Sequence, residues 1–263
     1  MINFDFLEKN LESLKDKFKN NLPFEHIVLD NFCDETALSN GVDQICSPQK
    51  LKSEKSRDYI FAKNKFEKSN FDLISPEFKS LKADLLSQRF SSWISKLTGQ
   101  NIFIDDSFHG GGLHQGAQNS FLDMHVDFNY HPIEPSWFRN VNILLYLNKD
   151  WKQEYGGHLK LQNLSDKSLS MALIEPIFNR AVIMFTRDFT LHGYDSINFT
   201  EGTFRNSIAA YGYTKMKKKG KVRTTLWFPR KASFFKRTLG KHMPMLIKFK
   251  TMIFGSGTQK KEK

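Results

Sequence analysis

The chain has few cysteines, no long apolar run and no mark of a secretion signal. Its 263 residues include only two cysteines, Cys33 and Cys46, which excludes both a disulfide framework and a four-cysteine zinc site. No stretch approaches the roughly 18 consecutive apolar residues that a membrane-spanning helix requires. The first ten residues contain no basic region followed by an apolar one, so no signal peptide is expected. These absences predict a cytoplasmic protein without a transmembrane segment.

Acidic residues are almost missing from the C-terminal fifth. Segment 215–263 holds 16 of the 39 basic residues but only one of the 28 acidic ones, so it carries +15 while residues 1–214 carry −4. A charge asymmetry of this kind bears on which partners the protein binds, rather than on how its core folds. The segment also interleaves its cations with aromatic and aliphatic residues. We predict a basic helical extension that either packs back on the core or contacts an anionic surface, whether lipid, nucleic acid, acidic protein or glycan.

The N-terminal part, 1–99, has the periodicity of helices. Apolar residues recur at helical spacing between Phe4 and Phe18, and a second amphipathic pattern runs from Ser75 to Gly99. Between them, a short strand is predicted at 24–32, followed by a helix with Asp34 as its N-cap. The polar, lysine-rich stretch 47–72 is predicted to be a long loop.

After Gly99 the pattern changes to short apolar runs separated by turn residues. This spacing predicts seven or eight strands of a β-sandwich, barrel or jelly roll. We therefore predict an α+β protein with three regions, 1–99, 100–214 and 215–263, folding as one cooperative domain. The apolar runs lie at 102–105, 119–128, 141–147, 158–162, 169–174, 180–186, 189–193 and 204–213.

The stretch "DMHVDFNYH" places a histidine and a carboxylate two residues apart, at His125 and Asp127. On a strand these side chains point to the same face. If they bind a metal, a further ligand is needed from another strand, and His192 follows the apolar run "AVIMFT" within a short strand pattern. Two histidines and one carboxylate form the facial triad of non-heme iron(II) oxygenases, which leaves three coordination positions open.

A cosubstrate with a 2-oxo acid head would chelate two of those positions and needs a cation for its distal carboxylate. Thirteen residues after His192, Arg205 and Ser207 lie on one face of the next predicted strand. A planar guanidinium suits bidentate binding of a carboxylate. Burying an unpaired cation is costly, so a dicarboxylate ligand would also give a reason for a buried Arg205.

His125-x-Asp127, His192 and Arg205-x-Ser207 resemble the 2-oxoglutarate- and Fe(II)-dependent dioxygenases, in the bacterial and phage branch related to prolyl 4-hydroxylases. The stretches "PFEHIVLDNF", "LTGQNIFIDDSFHGGGLH" and "NILLYLNKDWKQEYGGHLKL" are similar to that branch as well, so the likeness covers residues 20–214. One departure is Arg205, where the collagen-type prolyl hydroxylases have lysine.

This resemblance implies a double-stranded β-helix, or jelly-roll, core with the N-terminal helices packed on it. It implies Fe(II) held by His125, Asp127 and His192, and 2-oxoglutarate held by Arg205 with Ser207. It further implies O2 as cosubstrate and ascorbate as a candidate reductant. The expected reaction hydroxylates a C–H bond while 2-oxoglutarate is decarboxylated to succinate. Nucleic-acid demethylases of the superfamily carry a second arginine where this protein has Tyr211, so a nucleic-acid substrate is not expected.

Several other residues are candidates for a substrate-contacting role. Substrate contact and a plain structural role both stay open for these positions: His109, His114, His131, Arg139 and Asn142. The substrate is either a prolyl or other residue of a protein, or a small molecule or sugar. A different class of function is a non-catalytic, cupin-like binding protein tethered by its basic tail.

Overall fold

The computed structural model describes residues 1–55, 58, 60–166 and 168–229. Helix starts and stops follow local capping chemistry. The Asp34 side chain accepts a hydrogen bond from the backbone amide of Ala37 at 2.8 Å, which confirms it as an N-cap. Gly99 ends the helix Gln88–Thr98 in the left-handed conformation, at φ 68°. The helices are α1 (Phe4–Lys9), α2 (Leu11–Asn20), α3 (Glu35–Asp43), α4 (Pro76–Leu86) and α5 (Gln88–Thr98), with short 3-10 turns at Phe71–Leu73 and Gln153–Tyr155.

Each of the two long helical patterns is interrupted once. The pattern from Phe4 to Phe18 forms α1 and α2, which meet at Asn10. The pattern from Ser75 to Gly99 forms α4 and α5, separated by Ser87. The Ser87 hydroxyl donates to the carbonyl of Asp84 and accepts from the amide of Phe90, so one residue ends the first helix and begins the next.

Every predicted apolar run after Gly99 contains a strand, and mostly antiparallel pairing joins them into one curled sheet. Its main path runs β1-β9-β6-β11-β5-β10-β7-β8, which confirms the jelly-roll core. β5 is the hub, because it pairs with β3, β10, β11 and β12. The strands are β1 (His26–Leu29), β2 (Glu54–Lys55), β3 (Ala62–Lys68), β4 (Phe103–Ile104), β5 (Gly112–Val126), β6 (Trp137–Tyr146), β7 (Leu159–Asn163), β8 (Ala172–Ile174), β9 (Ala181–Phe185), β10 (Thr190–Tyr194), β11 (Arg205–Lys215) and β12 (Leu226–Trp227).

The prediction of a long loop over 47–72 is wrong. This stretch contributes β2 and β3, and β3 pairs with β5 along most of its length. Its sequence "AKNKFEK" has only two apolar residues, so no apolar run announces the strand. The residues of β3 have a weak intrinsic preference for extended structure, and cross-strand pairing with β5 compensates for it.

The two faces of β6 divide the molecule into a core and a cavity. Val141, Ile143 and Leu145 pack with the helices in the main hydrophobic core, together with residues of β1, β9 and β11. Asn142 and Tyr146 point to the opposite face and line a cavity inside the curled sheet. The helices of the described region thus cover one side of the sheet and leave its other side available for chemistry.

The start of the basic segment is part of the sheet. β11 continues to Lys215, and after a connection the polypeptide adds β12, in which Trp227 pairs with His125 of β5. Trp227 is buried and stacks on Phe61 with ring centroids 5.2 Å apart. The predicted helical extension falls mainly on residues 230–263, which lie outside the described residues. Across the described ranges, no helix combines the length and apolarity needed to cross a bilayer.

Truncation after Tyr213 is expected to destabilise the protein. It removes Trp227, and the loss of a buried tryptophan lowers the free energy of unfolding by about 3–5 kcal/mol. Truncation after Pro229 keeps that contact and serves as the control. Urea unfolding of both products measures the difference, and equal stability of the two would show that β12 contributes nothing to the fold.

Candidate active site

His125, Asp127 and His192 come together on the cavity wall. β5 and β10 pair with His192 opposite His125, and Asp127 follows the end of β5 on the same face. One ligand atom from each residue lies within 4.8 Å of the other two, and all three residues are buried. The Asp127 carboxylate lies 3.4 Å from the Nε2 atom of each histidine. Two imidazole nitrogens and one carboxylate oxygen are donors that suit Fe(II), so the donor set fits the metal that the sequence implies.

The two imidazoles are prepared to act as neutral ligands. His125 Nδ1 lies 2.9 Å from the carbonyl oxygen of Asp123, so it donates its proton there and leaves the Nε2 lone pair directed at the site. Burial, with further contributions from His125 and Arg139, lowers the pKa of His192 to about 3. Trp227 covers His125, with ring centroids 4.9 Å apart.

Asp127 is held by two donors from β6. Arg139 Nη2 lies 3.0 Å from Asp127 Oδ2, and Asn142 Nδ2 donates to the same oxygen at 2.7 Å. Arg139 also donates through Nε and Nη2 to Asn142 Oδ1, at 3.0 and 2.7 Å. Burial opposes ionisation of Asp127, but the Arg139 guanidinium holds its pKa well below the ordinary value. The carboxylate is therefore charged and fixed in orientation.

Arg139 reaches this position through a β-bulge. Val141 pairs with Gly212 and Arg139 pairs with Tyr213, so Asn140 is an extra residue in β6. If the same residues paired regularly, without the bulge, Arg139 would share the helix-facing side of Val141. Tyr211 completes the arrangement, because the guanidinium carbon lies 3.5 Å from the centre of its ring. The sequence left both substrate contact and a structural role open for Arg139 and Asn142, and the structure places both on the cavity wall in contact with Asp127.

Arg139→Met is expected to lower the free energy of unfolding by about 3–5 kcal/mol, because it leaves the Asp127 carboxylate buried without its counter-charge. Methionine keeps much of the apolar stem of arginine. Arg180→Met is the matched control, since Arg180 pairs with the exposed Asp30 and such pairs contribute about 0–1 kcal/mol. Urea denaturation of both variants measures the effect. Equal losses would mean that the buried pair adds no stability beyond a surface pair.

Among the described residues, Arg205 is a buried cation with no carboxylate partner. Its residue is 6 % exposed, and its Nε donates to the carbonyl of Gly157 at 2.8 Å. Its guanidinium carbon lies 4.3 Å from the ring centre of Tyr194 and 5.0 Å from that of Tyr146. In the described part of the protein, no carboxylate oxygen lies within 4.0 Å of the Arg205 guanidinium. The acidic candidate Asp188 pairs instead with Arg223 at 2.8 Å.

Three further residues, Tyr146, Ser207 and Gly157, form the surroundings of Arg205. The Tyr146 hydroxyl is buried, and no other group of the described ranges meets hydrogen-bond distance and angle with it. Ser207 is buried one step further along the same face of β11. Gly157 has φ 78°, and a Cβ there would lie 3.0 Å from Arg205 Cδ, so glycine permits the close approach.

A single cavity of about 250 Å³ contains both groups of residues. Its wall includes the three metal-site residues and the Arg205–Ser207 face. It also includes His114, whereas His109 and His131 do not line it. Those two histidines lie against each other, with ring centroids 5.5 Å apart, and His131 Nδ1 accepts a hydrogen bond from the amide of Glu134. Of the three histidines considered for substrate contact, only His114 lines the cavity.

Known proteins give a consistent comparison. Residues 111–213 match the family model described as the 2OG-Fe(II) oxygenase superfamily. No curated protein matches the sequence. Three solved structures share its fold: a prolyl hydroxylase from Trichoplax adhaerens in complex with a hypoxia inducible factor peptide fragment (17% identity, TM-score 0.58, 80% of this chain and 91% of that one), a prolyl-4-hydroxylase from Pseudomonas putida (13%, 0.52, 79% and 100%) and a prolyl 4-hydroxylase from Phytophthora capsici (15%, 0.53, 97% and 80%).

The matched segment 111–213 runs from the start of β5 almost to the end of β11 and includes every residue of the candidate metal site and of the Arg205–Ser207 face. Over this segment the protein matches the 2OG-Fe(II) oxygenase superfamily, whose enzymes use Fe(II), 2-oxoglutarate and O2.

Proposed function

We propose that this dioxygenase hydroxylates a C–H bond, with His125, Asp127 and His192 as its iron ligands and Arg205, assisted by Ser207, as its 2-oxoglutarate anchor. One observation carries the proposal: the three ligand atoms lie within 4.8 Å of one another in the same cavity as a buried arginine that has no carboxylate partner within the described ranges. A dicarboxylate that spans the two groups would satisfy both.

The bound iron, 2-oxoglutarate and O2 would supply the oxidation, in which one oxygen atom enters the substrate C–H bond and the other enters succinate as carbon dioxide leaves. The protein's own residues determine where this occurs. Arg139 and Asn142 hold Asp127 Oδ2, which fixes the carboxylate plane, and the Asp123 carbonyl fixes the ring of His125. Arg205 would orient the cosubstrate by pairing with its distal carboxylate.

The class of substrate is the second part of the proposal. The fold likeness to prolyl hydroxylases supports a prolyl or other residue of a protein or peptide. The alternative is a small molecule or sugar, and the non-catalytic alternative is a cupin-like binding protein. An anionic surface as partner of 215–263 stays a prediction, since most of that segment lies outside the described residues.

Anaerobic titration with Fe(II) and 2-oxoglutarate tests the proposal, followed through the weak visible charge-transfer band of the chelate. The wild type and a His158→Ala control should show the band, because His158 packs against Trp151 and does not line the cavity. His192→Ala should not show it. Absence of both the band and retained iron in the wild type would favour the binding-protein alternative.

A further inference from the structure

An ion pair on the cavity wall lies outside the segment that matches the family. Lys65 and Glu67 belong to β3, and residues two apart on a strand share a face. Lys65 Nζ lies 2.8 Å from Glu67 Oε1, and the side chains are 16 % and 32 % exposed. Both line the same cavity as the candidate metal site. The oxidation chemistry proposed above uses neither of them.

The strand register places this pair beside the Arg205 end of the cavity. Gly116 of β5 pairs with Lys65 on one side and with Arg205 on the other. Gly116 itself has no side chain, and the Ser120 and Tyr194 side chains lie 3.0–3.5 Å from the position that its Cβ would take. One step along, His114 pairs with Glu67 on one side and with Ser207 on the other. The Lys65–Glu67 pair is thus next to the site proposed for the distal carboxylate of 2-oxoglutarate.

The charges of the pair restrict the ligand that can bind against it. Arg205 would be neutralised by 2-oxoglutarate, whereas Lys65 and Glu67 neutralise each other. A second ligand with only a negative charge would be repelled by Glu67, and one with only a positive charge by Lys65. A ligand that carries both charges can pair with both residues and adds no net charge to a buried site.

Stability alone gives a weak reason for such a pair. A largely buried ion pair is often no more stabilising than well-packed apolar residues of the same volume. Here the pair faces an open cavity beside the candidate reaction centre, where a ligand can replace the lost hydration of both groups.

We propose that Lys65 and Glu67 bind a free α-amino acid substrate, with Lys65 pairing with its carboxylate and Glu67 with its ammonium group. This inference rests on the proposed function and names its substrate class. The side chain of the bound amino acid is then the part that enters the metal end of the cavity. A C–H bond of that side chain becomes C–OH there, while O2 and 2-oxoglutarate are converted to the new hydroxyl oxygen, succinate and carbon dioxide.

The first test uses the wild-type protein with Fe(II), 2-oxoglutarate and O2, and measures succinate formed with each of the twenty free L-amino acids. The same amino acids with an acetylated amine or an amidated carboxylate, and a proline-containing peptide, are the controls. We expect one or a few free amino acids to stimulate succinate formation. Their blocked forms should stimulate it at least tenfold less. Stimulation by blocked forms or by the peptide, or no stimulation by any free amino acid, would overturn the assignment.

The second test measures binding without turnover. Each stimulating amino acid is titrated calorimetrically into protein that holds 2-oxoglutarate and Mn(II) in place of iron. Lys65→Met and Glu67→Gln should each raise the amino-acid Kd by about 10- to 100-fold, the usual effect of losing one charged hydrogen-bond partner. The Kd for 2-oxoglutarate should stay within about threefold of wild type.

The charge-swapped variant Lys65→Glu/Glu67→Lys separates ligand binding from structure. It keeps an ion pair between the same positions but reverses the polarity presented to the ligand. We expect near-wild-type stability towards urea with loss of amino-acid binding. Retained binding would show that the pair is purely structural. Failure of the proposed function is distinguishable, because it removes the Fe(II)–2-oxoglutarate band itself, whereas failure of this inference leaves that band intact.

Discussion

Asp127→Ala is expected to abolish 2-oxoglutarate turnover and most iron binding. The substitution removes the anionic member of the proposed ligand set and leaves two imidazoles that bind Fe(II) far more weakly. It also leaves Arg139 buried with no counter-charge, which costs about 3–5 kcal/mol of stability. Iron content after anaerobic loading, succinate production and urea unfolding measure the three effects.

Loss of stability could by itself explain a loss of iron, so the variant needs a folded control. In Asp127→Ala/Arg139→Met both members of the buried ion pair are absent, and such double replacements are close to neutral for stability. This double variant should unfold near the wild-type urea concentration and still fail to bind iron. If either variant retained iron and turnover, Asp127 would not be a ligand.

Arg205→Ala is expected to raise the Kd for 2-oxoglutarate by roughly two orders of magnitude while iron stays bound. The distal carboxylate loses its charge-assisted hydrogen bonds, each worth about 1.5–3 kcal/mol. The other cation of β11, Lys215, lies at the far end of the strand and cannot replace the guanidinium. The Kd is read from the charge-transfer band as 2-oxoglutarate is added, and iron content is measured separately.

Two variants separate the contributions of Arg205 and Ser207 to 2-oxoglutarate binding. Arg205→Lys keeps the charge but not the two-pronged geometry, so its Kd should fall between those of the wild type and the alanine variant. Ser207→Ala removes a neutral group and should change the Kd by less than about tenfold. An unchanged Kd in Arg205→Ala would place the cosubstrate anchor elsewhere in the cavity.

The strands and the candidate triad were predictable because their signals are local. Each apolar run after Gly99 is bounded by turn residues, and His125-x-Asp127 needs only the two-residue period of a strand to place both side chains on one face. His192 and Arg205 each lie in a later predicted strand, and antiparallel pairing could bring those strands alongside the strand of His125. The iron and cosubstrate roles of these residues stay predictions until the variants are measured.

The parts that sequence patterns missed depend on pairing. β3 has the composition of a solvated loop, and only its register with β5 turns Lys65 and Glu67 into the cavity. β12 is two residues long, and its value lies in bringing Trp227 onto His125. The partners of Asp127 were hidden for a different reason: a strand with regular alternation would direct Arg139 towards the helices.

The bulge at Asn140 makes the register of β6 as important as the identity of its residues. If the same residues paired regularly with β11, Arg139 would lie opposite Thr214 in place of Tyr213 and would share the helix-facing side of Val141. Every residue of the candidate site would then be chemically intact, yet Asp127 would face a gap. Deleting Asn140, by contrast, would place Arg139 directly before Val141 and keep it on the cavity side. The bulge thus compensates for the one residue by which β6 exceeds its partner strand, and the counter-charge of Asp127 depends on that compensation.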